Sequence, residues 1–537
     1  DHWMLNQHAS SEGGRDKMGT MKDSQTFNEQ FYGDLLASYN HTWKDIYALS
    51  VTAGTSFTKT KGTGNYLIGW GHSKFVMTDG KPSGNAYYPN VFMPSNYYQM
   101  SVVPSRTDKR LNAIFATAQF GYKDALFVDV TARNDWSSAL AFTNGMSFFY
   151  PSVGASVLLD KFVHFGKQVN MLKIRASYSI VGNDVPVFMS NPRYTLGSLG
   201  SLTPPSKAPF TTLKPEKSHS IEVGLDGMFF DNRLEVNLTY YKTKNQFFAV
   251  EAPWETGLRQ QYVNAGNVQN SGFELSASWR QDFNKDFSWV TRFNMAYNSN
   301  KIKELVDGLS DGLTLADYGG AKVILKKGGH YGDLYVRQIK RGSDGKPVVN
   351  SGAPSLGGDG MKDMKYVGDM NAKVNMGWSN TFNYKDFTLS FLIDSKLGGK
   401  VLSMTEATLD GWGVSERSGA ARNAGKVVFE GVEYDAKKFY TTVGATNFNS
   451  QYANELYVYK ATNVRMRELS LGYTFRNLLG YGKNLTASLI GRNLFFFYKD
   501  APMDPDVSLG TGNGWQGVDM FTLPSSRSFG LNLKFNF

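Results

Sequence analysis

The sequence lacks cysteine and long apolar runs, and each absence excludes certain kinds of protein. With no cysteine in 537 residues, the chain has no disulfide scaffold, thiolate metal site or cysteine nucleophile. No apolar run reaches 18 residues, so no transmembrane helix is predicted. The net charge of +10 is spread along the chain without a Lys/Arg block, which argues against nucleic-acid binding. The seven histidines are scattered, and none has metal-ligand spacing.

The sequence is instead rich in aromatic residues, at 14%, and in two-residue alternation. The last ten residues alternate strictly between apolar and small or polar side chains. The apolar members are Phe529, Leu531, Leu533, Phe535 and Phe537. A strand that is apolar on one face and polar on the other suits a barrel wall between lipid and a watery lumen. The alternative is the edge strand of a soluble sandwich.

The same alternation recurs along the chain, for example from Leu126, Leu172, Phe273 and Phe387. We count roughly 15 such strands, each near the length that a tilted membrane strand needs. Tight turns containing Asp or Asn alternate with long links. The long links lie at roughly 60–111, 181–217, 301–372, 398–463 and 500–527. Short periplasmic turns and long outer loops are typical of membrane barrels. The sequence therefore predicts an all-β protein, a transmembrane antiparallel β-barrel of the cell outer membrane.

The order of turns and links predicts the direction of each strand. The last strand is expected to run from the outer side of the membrane to the periplasm. Counting back through the turns and links, the first strand, roughly 31–43, runs in the same direction. Residues 1–30 are then predicted to be an extracellular loop segment, and 31–537 the C-terminal part of the barrel. Plugged transporters have about 22 strands, so the first strands and the plug are predicted to be missing from this chain. Phe31–Trp43 is expected to pair with a strand of a second polypeptide piece that carries the plug.

Several sequence blocks occur in an order that is typical of one family. The blocks are 132–138, 150–156, 213–218, 263–268, 464–473 and 491–495. Taken together they resemble the SusC/RagA-like, TonB-dependent outer-membrane transporters of Bacteroidetes.

Within one block, Arg465 and Arg467 share the parity of the apolar residues Leu469 and Leu471. A bulge near Glu468, or a position of the arginines at the rim, is therefore predicted.

The resemblance implies the function. It implies uptake of an oligomeric nutrient, an oligosaccharide or glycan, with a SusD-like surface lipoprotein as a lid. TonB would act through the missing plug and TonB box, and neither a cofactor nor an enzymatic activity is implied. Peptide cargo is the alternative within the family. Alternatives of other classes are a passive porin or adhesin barrel and a barrel-embedded hydrolase.

Two short motifs match catalytic or nucleotide-binding patterns. Gly308–Gly312 matches G-x-S-x-G, and Gly512–Gly517 matches G-x-G-x-x-G. The first requires a strand–turn–helix in an α/β sheet, and the second must follow a strand and open a helix. Neither context is predicted here, so both are interpreted as loop segments, and the chain is not expected to be an enzyme.

Two sets of loop residues are candidate site residues. Aromatic rings can stack on sugar rings or pack against a peptide or a partner. The aromatic set contains Trp70, Tyr87, Tyr88, Tyr97, Tyr98, Trp412 and Trp515. The alternative is that each ring belongs to a loop core or a partner interface. Asp500, Asp504 and Asp506 are weak candidates for a cation site, and a proline-stiffened loop with solvated acids is the alternative.

Overall fold

A computed structural model describes most of the chain. It covers residues 2–5, 20–72, 76–78, 81–83, 97–190, 193–196, 202–205, 207–208, 215–253, 260–305, 312–358, 360, 362–445, 452–477, 480, 482–510 and 514–536. Only the backbone is described within 2–21, 70–99, 195–196, 207–208 and 246–265. The candidates Tyr87 and Tyr88, most of the 308–312 motif and the first residues of the 512–517 motif lie outside the described residues.

Fifteen long strands form one sheet. In chain order they are β1 (Thr20–Trp43), β2 (Tyr47–His72), β3 (Tyr97–Tyr122), β4 (Leu126–Ser137), β5 (Ser147–Leu158), β6 (Val169–Asn183), β7 (Glu216–Phe229), β8 (Leu234–Pro253), β9 (Gln260–Asp282), β10 (Phe287–Leu305), β11 (Val374–Tyr384), β12 (Phe387–Leu397), β13 (Asn463–Phe475), β14 (Asn484–Lys499) and β15 (Ser528–Asn536). Each strand pairs antiparallel with its neighbours in sequence, from β1 with β2 through to β14 with β15. The predicted all-β, antiparallel wall of roughly 15 strands is confirmed.

The two end strands are paired along one side only. Among the described residues, β15 pairs with β14 alone. Strand β1 pairs with β2 along its length, and at Thr20–Asp23 also with the short strand His2–Leu5. The sheet is therefore open along β15 and along most of β1.

The first three strands are longer than the sequence predicted. Strand β1 begins at Thr20 rather than near Phe31, so residues 20–30 are strand and not loop. The link predicted at 60–111 shrinks to 73–96, because β2 runs to His72 and β3 begins at Tyr97. The added segments carry apolar residues such as Phe27, Leu67 and Val103 among polar ones, without a regular period of two, so no alternation marks them. Their backbone ladder nevertheless continues without a break.

The two faces of the sheet differ as the alternation predicted. On β15, Leu531 pairs with Leu489 on the apolar face, whereas Asn532 pairs with Ser488 on the polar face. The predicted bulge is confirmed at Arg467, because Leu392 pairs with Glu468 while the next residue, Ile393, pairs with Met466. The extra residue reverses the parity of β13, so the Arg465 side chain reaches the polar face while Leu469 and Leu471 stay on the apolar face.

The connections at one end of the sheet are all short, and the longest connections lie at the other end. The short ones are 44–46, 123–125, 159–168, 230–233, 283–286, 385–386 and 476–483. Lys44, Asp45, Lys123 and Asp124 adopt positive φ angles between 49° and 53°, as tight hairpins require. At the opposite end, the links after β10, β12 and β14 are long.

These three links fold on one another as the loop layer, defined here as the described parts of 306–373, 398–462 and 500–527. Its helices are α1 (Met404–Gly411), α2 (Glu416–Ala424) and α3 (Ala436–Val443), capped by Ser403, Ser415 and Asp435. Its strands are Leu313–Asp317, Ala321–Leu325, Asp333–Val336, Val349–Asn350, Ala353–Pro354, Lys365–Asp369, Lys400–Ser403, Lys426–Phe429, Val432–Asp435, Val458–Lys460 and Val518–Asp519. Short elements outside the layer are His2–Leu5, Val76–Thr78, Lys81–Ser83, Thr195–Leu196, Leu202–Thr203, Lys207–Ala208 and the 3₁₀ turns Ser138–Leu140 and Leu159–Lys161; the 3₁₀ turn Asn454–Tyr457 lies within it.

The loop layer carries its own hydrophobic core. Tyr318, Leu402 and Tyr452 are fully buried in one cluster that joins all three links. A second cluster places Leu313 and Leu325 of the layer against Ile302 and Val268 of the wall. Ile302 lies on the polar face of β10, so the layer folds against that face and enters the mouth of the barrel.

Candidate binding cavity at the mouth of the barrel

A cavity of about 700 Å³ lies where the loop layer meets the polar face of the wall. Its wall residues come from the mouth ends of β10 to β12, and its loop residues from all three links. Representative lining residues are Asn298, Lys373, Asn375, Asp369, Lys400 and Gln516. Amides and charged side chains dominate the lining, so the cavity suits a polar ligand.

A chain of amides orders the wall side of the cavity. The Tyr241 hydroxyl donates to Asn298 Oδ1 at 3.0 Å, and Asn300 Nδ2 donates to Asn270 Oδ1 at 2.9 Å. The backbone N–H of Tyr331 donates to Asn300 Oδ1 at 2.9 Å, which joins the loop layer to the wall. Each amide can make further hydrogen bonds, so this surface can donate to and accept from ligand hydroxyl or amide groups.

A hairpin of the last link forms the opposite side. Its ladder includes Leu509 N–H donating to Trp515 O at 2.9 Å and Gly517 N–H donating to Val507 O at 3.0 Å. Leu402 N–H in turn donates to Gly517 O at 2.9 Å, which ties the hairpin to the strand before α1. These bonds hold Gln516 at the edge of the cavity.

An ion-pair cluster fastens the same link to the wall. Its members are Asp394, Lys396, Arg465, Arg467, Asp504 and Asp506. Arg465 is nearly buried; its Nε is 2.8 Å from Asp394 Oδ1 and its Nη1 is 3.4 Å from Asp504 Oδ2. Lys396 Nζ is 2.7 Å from Asp506 Oδ1. Three cations and three carboxylates balance, so the cluster is neutral and anchors the link.

The surroundings of two carboxylates of the loop layer shift their pKa values in opposite directions. Burial alone would raise the pKa of Asp506, but its contacts with Lys396 and Arg465 outweigh burial and lower the pKa. Burial raises the pKa of Asp369, partly offset by hydrogen bonds from Asn371. Asp506 is thus held ionised as part of the anchor, whereas burial disfavours the charged form of Asp369.

The weak cation candidates have partners from the protein itself. Asp504 and Asp506 contact Arg465, and Asp500 accepts a hydrogen bond from the backbone N–H of Lys460 at 2.9 Å. Within the described residues, no group of three or more acidic or histidine side chains is arranged to hold a metal ion. These aspartates order the loop.

The aromatic candidates do not converge on one place. Trp515 packs edge-on against Tyr318 at 5.6 Å, next to the loop-layer core. Trp412 ends α1 and is 66% exposed. The backbones of Trp70, Tyr97 and Tyr98 lie in β2 and β3, outside the loop layer. The structure does not bring these residues to the cavity as a set.

The cavity residues themselves were missed from the sequence. Asn298 and Asn300 lie on the polar face of β10, and this alternation was the available signal. Lys373 immediately precedes β11, and Lys400 begins a strand of only four residues, too short to show a period. That they line one cavity with Gln516 depends on a link more than a hundred residues away.

Comparisons with known proteins agree with this architecture. The family described as TonB dependent receptor-like, beta-barrel matches residues 5–494. TonB-dependent receptor P3 of Formosa agariphila is 27% identical over 93% of this chain and 51% of its own length. TonB-dependent receptor SusC of Bacteroides thetaiotaomicron is 24% identical over 91% of this chain and 50% of its own length. The chain therefore spans about half the length of these relatives.

Solved structures show the same fold. The RagAB peptide importer in the open-open state superposes with a TM-score of 0.72, at 18% identity, over 99% of this chain and 57% of that chain. The RagAB peptide transporter gives a TM-score of 0.70 at 16% identity, over 96% and 56%. The apolar face of the sheet is accordingly the lipid face, and the relatives are named as receptors and transporters rather than as enzymes. The chain belongs to the TonB dependent receptor-like β-barrel family of outer-membrane proteins.

Proposed function

We propose that this chain is part of an importer, energised through TonB, that takes up an oligosaccharide. The observation that carries the proposal is the amide-lined mouth cavity between the wall and the loop layer. A polyhydroxylated ligand needs many donors and acceptors at once, and Asn298, Asn300 and Gln516 supply both. The ion-pair cluster keeps the hairpin side of the cavity in place while cargo binds.

A SusD-like lipoprotein is proposed as the lid over the mouth. Several large apolar side chains of the loop layer are exposed, among them Trp412, Val414 and Leu523, at 66%, 67% and 95%. Exposed apolar surface of this kind marks interaction sites. We expect a second chain to copurify in mild detergent, and purification of a lone barrel in several such detergents would contradict the lid.

Peptide cargo is the second candidate. The amide chain can pair with a peptide backbone as well as with hydroxyl groups, and the fold is shared with the RagAB peptide importer. A passive porin or adhesin barrel would instead need no energised plug. Energy dependence separates this alternative from both import proposals.

The test is binding and uptake by the full-length protein. Asn298→Leu combined with Asn375→Leu should weaken oligosaccharide binding about tenfold or more, because each lost hydrogen bond contributes about 1 kcal/mol. The matched control is Thr381→Leu, on the same polar face of β11 but away from the cavity. Calorimetric titration with neutral oligosaccharides and with peptides of similar length measures both.

The outcomes separate the alternatives. Oligosaccharide binding that the asparagine variant loses and the control keeps supports the proposal. Binding of peptides alone would replace it with peptide import. Uptake that continues without TonB would favour the passive barrel.

A further inference from the structure

The lipid-facing belt has a measurable height. On β2 it runs from Tyr47 to Phe57, the outward residues that precede Lys59 and Lys61. About ten steps of roughly 3.4 Å, tilted by about 40°, span about 26 Å, which matches the apolar band of membrane barrels. On β10 the outward residues from Phe287 to Tyr297 give the same length. Outward residues just beyond Phe57 and Tyr297 therefore lie among the lipid headgroups on the long-loop side.

Four lysines occupy that level within four consecutive strands, β7 to β10. This lysine cluster consists of Lys217 on β7, Lys242 and Lys244 on β8, and Lys301 on β10. The outward parity follows from Tyr240, whose ring is 5.1 Å from that of Phe273 at the upper edge of the belt. Gln269 of β9 pairs with Lys244 on one side and with Lys301 on the other. The two lysines are thus about 10 Å apart across three strands.

The charge of this cluster is not compensated within the described residues. No salt bridge joins these four lysines to a carboxylate there. On β2, at the same level, Lys59 lies 3.8 Å from Asp108 and Lys61 lies 3.5 Å from Glu29. The lysines of the cluster, on β7 to β10, thus differ from the paired lysines of β2.

The opposite end of the barrel has a different charge pattern. Its tight turns place a lysine directly before an aspartate, as in 44–45, 123–124, 285–286 and 385–386. Each of these four lysines thus has a carboxylate beside it in the chain, unlike the lysine cluster, which lies on the long-loop side, the extracellular side of membrane barrels. At that level the wall faces the outer leaflet, whose headgroups can supply the anion.

We propose that the lysine cluster binds phosphate groups on the headgroup of an acidic glycolipid in the outer leaflet. Lys244 and Lys301, which flank Gln269, engage two phosphates that lie about 10 Å apart, the distance of two strand spacings. Ammonium groups bind phosphate as point charges, and each lysine near an anionic surface adds about fivefold to the affinity. The bound lipid fixes the height and tilt of this sector of the wall.

The test uses the full-length protein in detergent and lipid A that carries two phosphates. Lys242→Gln, Lys244→Gln and Lys301→Gln are combined, and the affinity is measured by native mass spectrometry. We expect at least a tenfold loss for the phosphorylated lipid and little change for the same lipid with its phosphates removed. The matched control combines Lys44→Gln, Lys285→Gln and Lys385→Gln, which removes equal charge at the other end.

Two results would overturn the proposal. One is equal affinity of the unaltered protein for the phosphorylated and dephosphorylated lipids. The other is an equal loss of affinity in the control variant, which would indicate a general charge effect. Heat-dependent gel mobility shows whether each variant still forms a folded barrel. If the cluster variant fails to fold, Lys244→Gln with Lys301→Gln replaces it, with at least a fivefold loss expected. If the cluster binds an acidic protein instead, added phosphorylated lipid A will not displace that protein from the barrel.

Discussion

At the residue scale, position on one of the two faces decides what a side chain can be. Leu533 on β15 pairs with Ala487 on the lipid face, whereas Lys534 pairs with Thr486 on the polar face. The two neighbours in sequence therefore lie in different solvents. The buried Arg465 shows the same dependence, because the bulge at Arg467 turns its guanidinium toward three carboxylates and away from lipid.

Substitutions in β15 test the assignment of its faces. Leu533→Arg should impair assembly, because an arginine facing lipid near the midplane costs about 2–4 kcal/mol. Lys534→Ala should be tolerated, since it faces the lumen. The yield of heat-modifiable barrel measures both, and equal yields would contradict the assignment.

Removing Arg465 tests the ion-pair cluster. Arg465→Ala should lower the free energy of unfolding by about 3 kcal/mol, because it leaves three partly buried carboxylates with only Lys396 and Arg467 as cations. The control is Arg492→Ala, whose pair with Glu468 is exposed and should contribute less than about 1 kcal/mol. Urea unfolding of the protein in vesicles gives both values. Similar losses would show that the cluster is no better an anchor than a surface pair.

At the scale of elements, the long links behave as a folded layer rather than as separate loops. Fully buried side chains such as Leu402 and Tyr452 join links that are far apart in sequence. The last link adds no helix of its own among the described residues, and it is held by the Asp506 contacts and by the pairing of Val518–Asp519 with Lys400–Ser403. Its attachment should therefore depend on the charge of Asp506.

Acid should release this link only at low pH. The pKa of Asp506 is lowered in the folded state, so its stabilising contribution is complete above the unfolded value of about 3.9 and is lost as pH falls through the lower folded value. Proteolysis within 500–527 should stay slow from pH 8 to pH 5 and rise only below about pH 4. Asp506→Asn should speed cleavage at neutral pH as well. Release of the unaltered link near pH 6 would be inconsistent with this mechanism.

At the scale of the whole molecule, the open sheet sets what the chain can do alone. Strands β1 and β15 each leave most of one edge unpaired among the described residues, and an unpaired strand edge is not tolerated in lipid. We therefore expect β1 to pair with a strand that lies outside this chain.

Hydrogen exchange can test this expectation. The alternate amides of 31–43 that point away from β2 should be protected in the full-length protein and exchange quickly in this chain alone. Those of Phe387–Leu397, which is paired on both sides, should be protected in both. Protection of both 31–43 and β15 in the chain alone would mean that these strands close the barrel by themselves.

The sequence by itself determined the wall. A period of two assigned the faces of β15 and β12, the Asp-containing turns located the hairpins, and the parity conflict on β13 indicated the bulge, because strand faces and tight turns depend on neighbouring residues only. Tertiary structure decided the loop layer and the cavity. The links have no period, and the contacts that bury Trp515 beside Tyr318 or pair Asp506 with Arg465 join distant segments. The length of β1 to β3 was also decided there, because their outer segments have no regular alternation in the sequence and are held by a continuous backbone ladder.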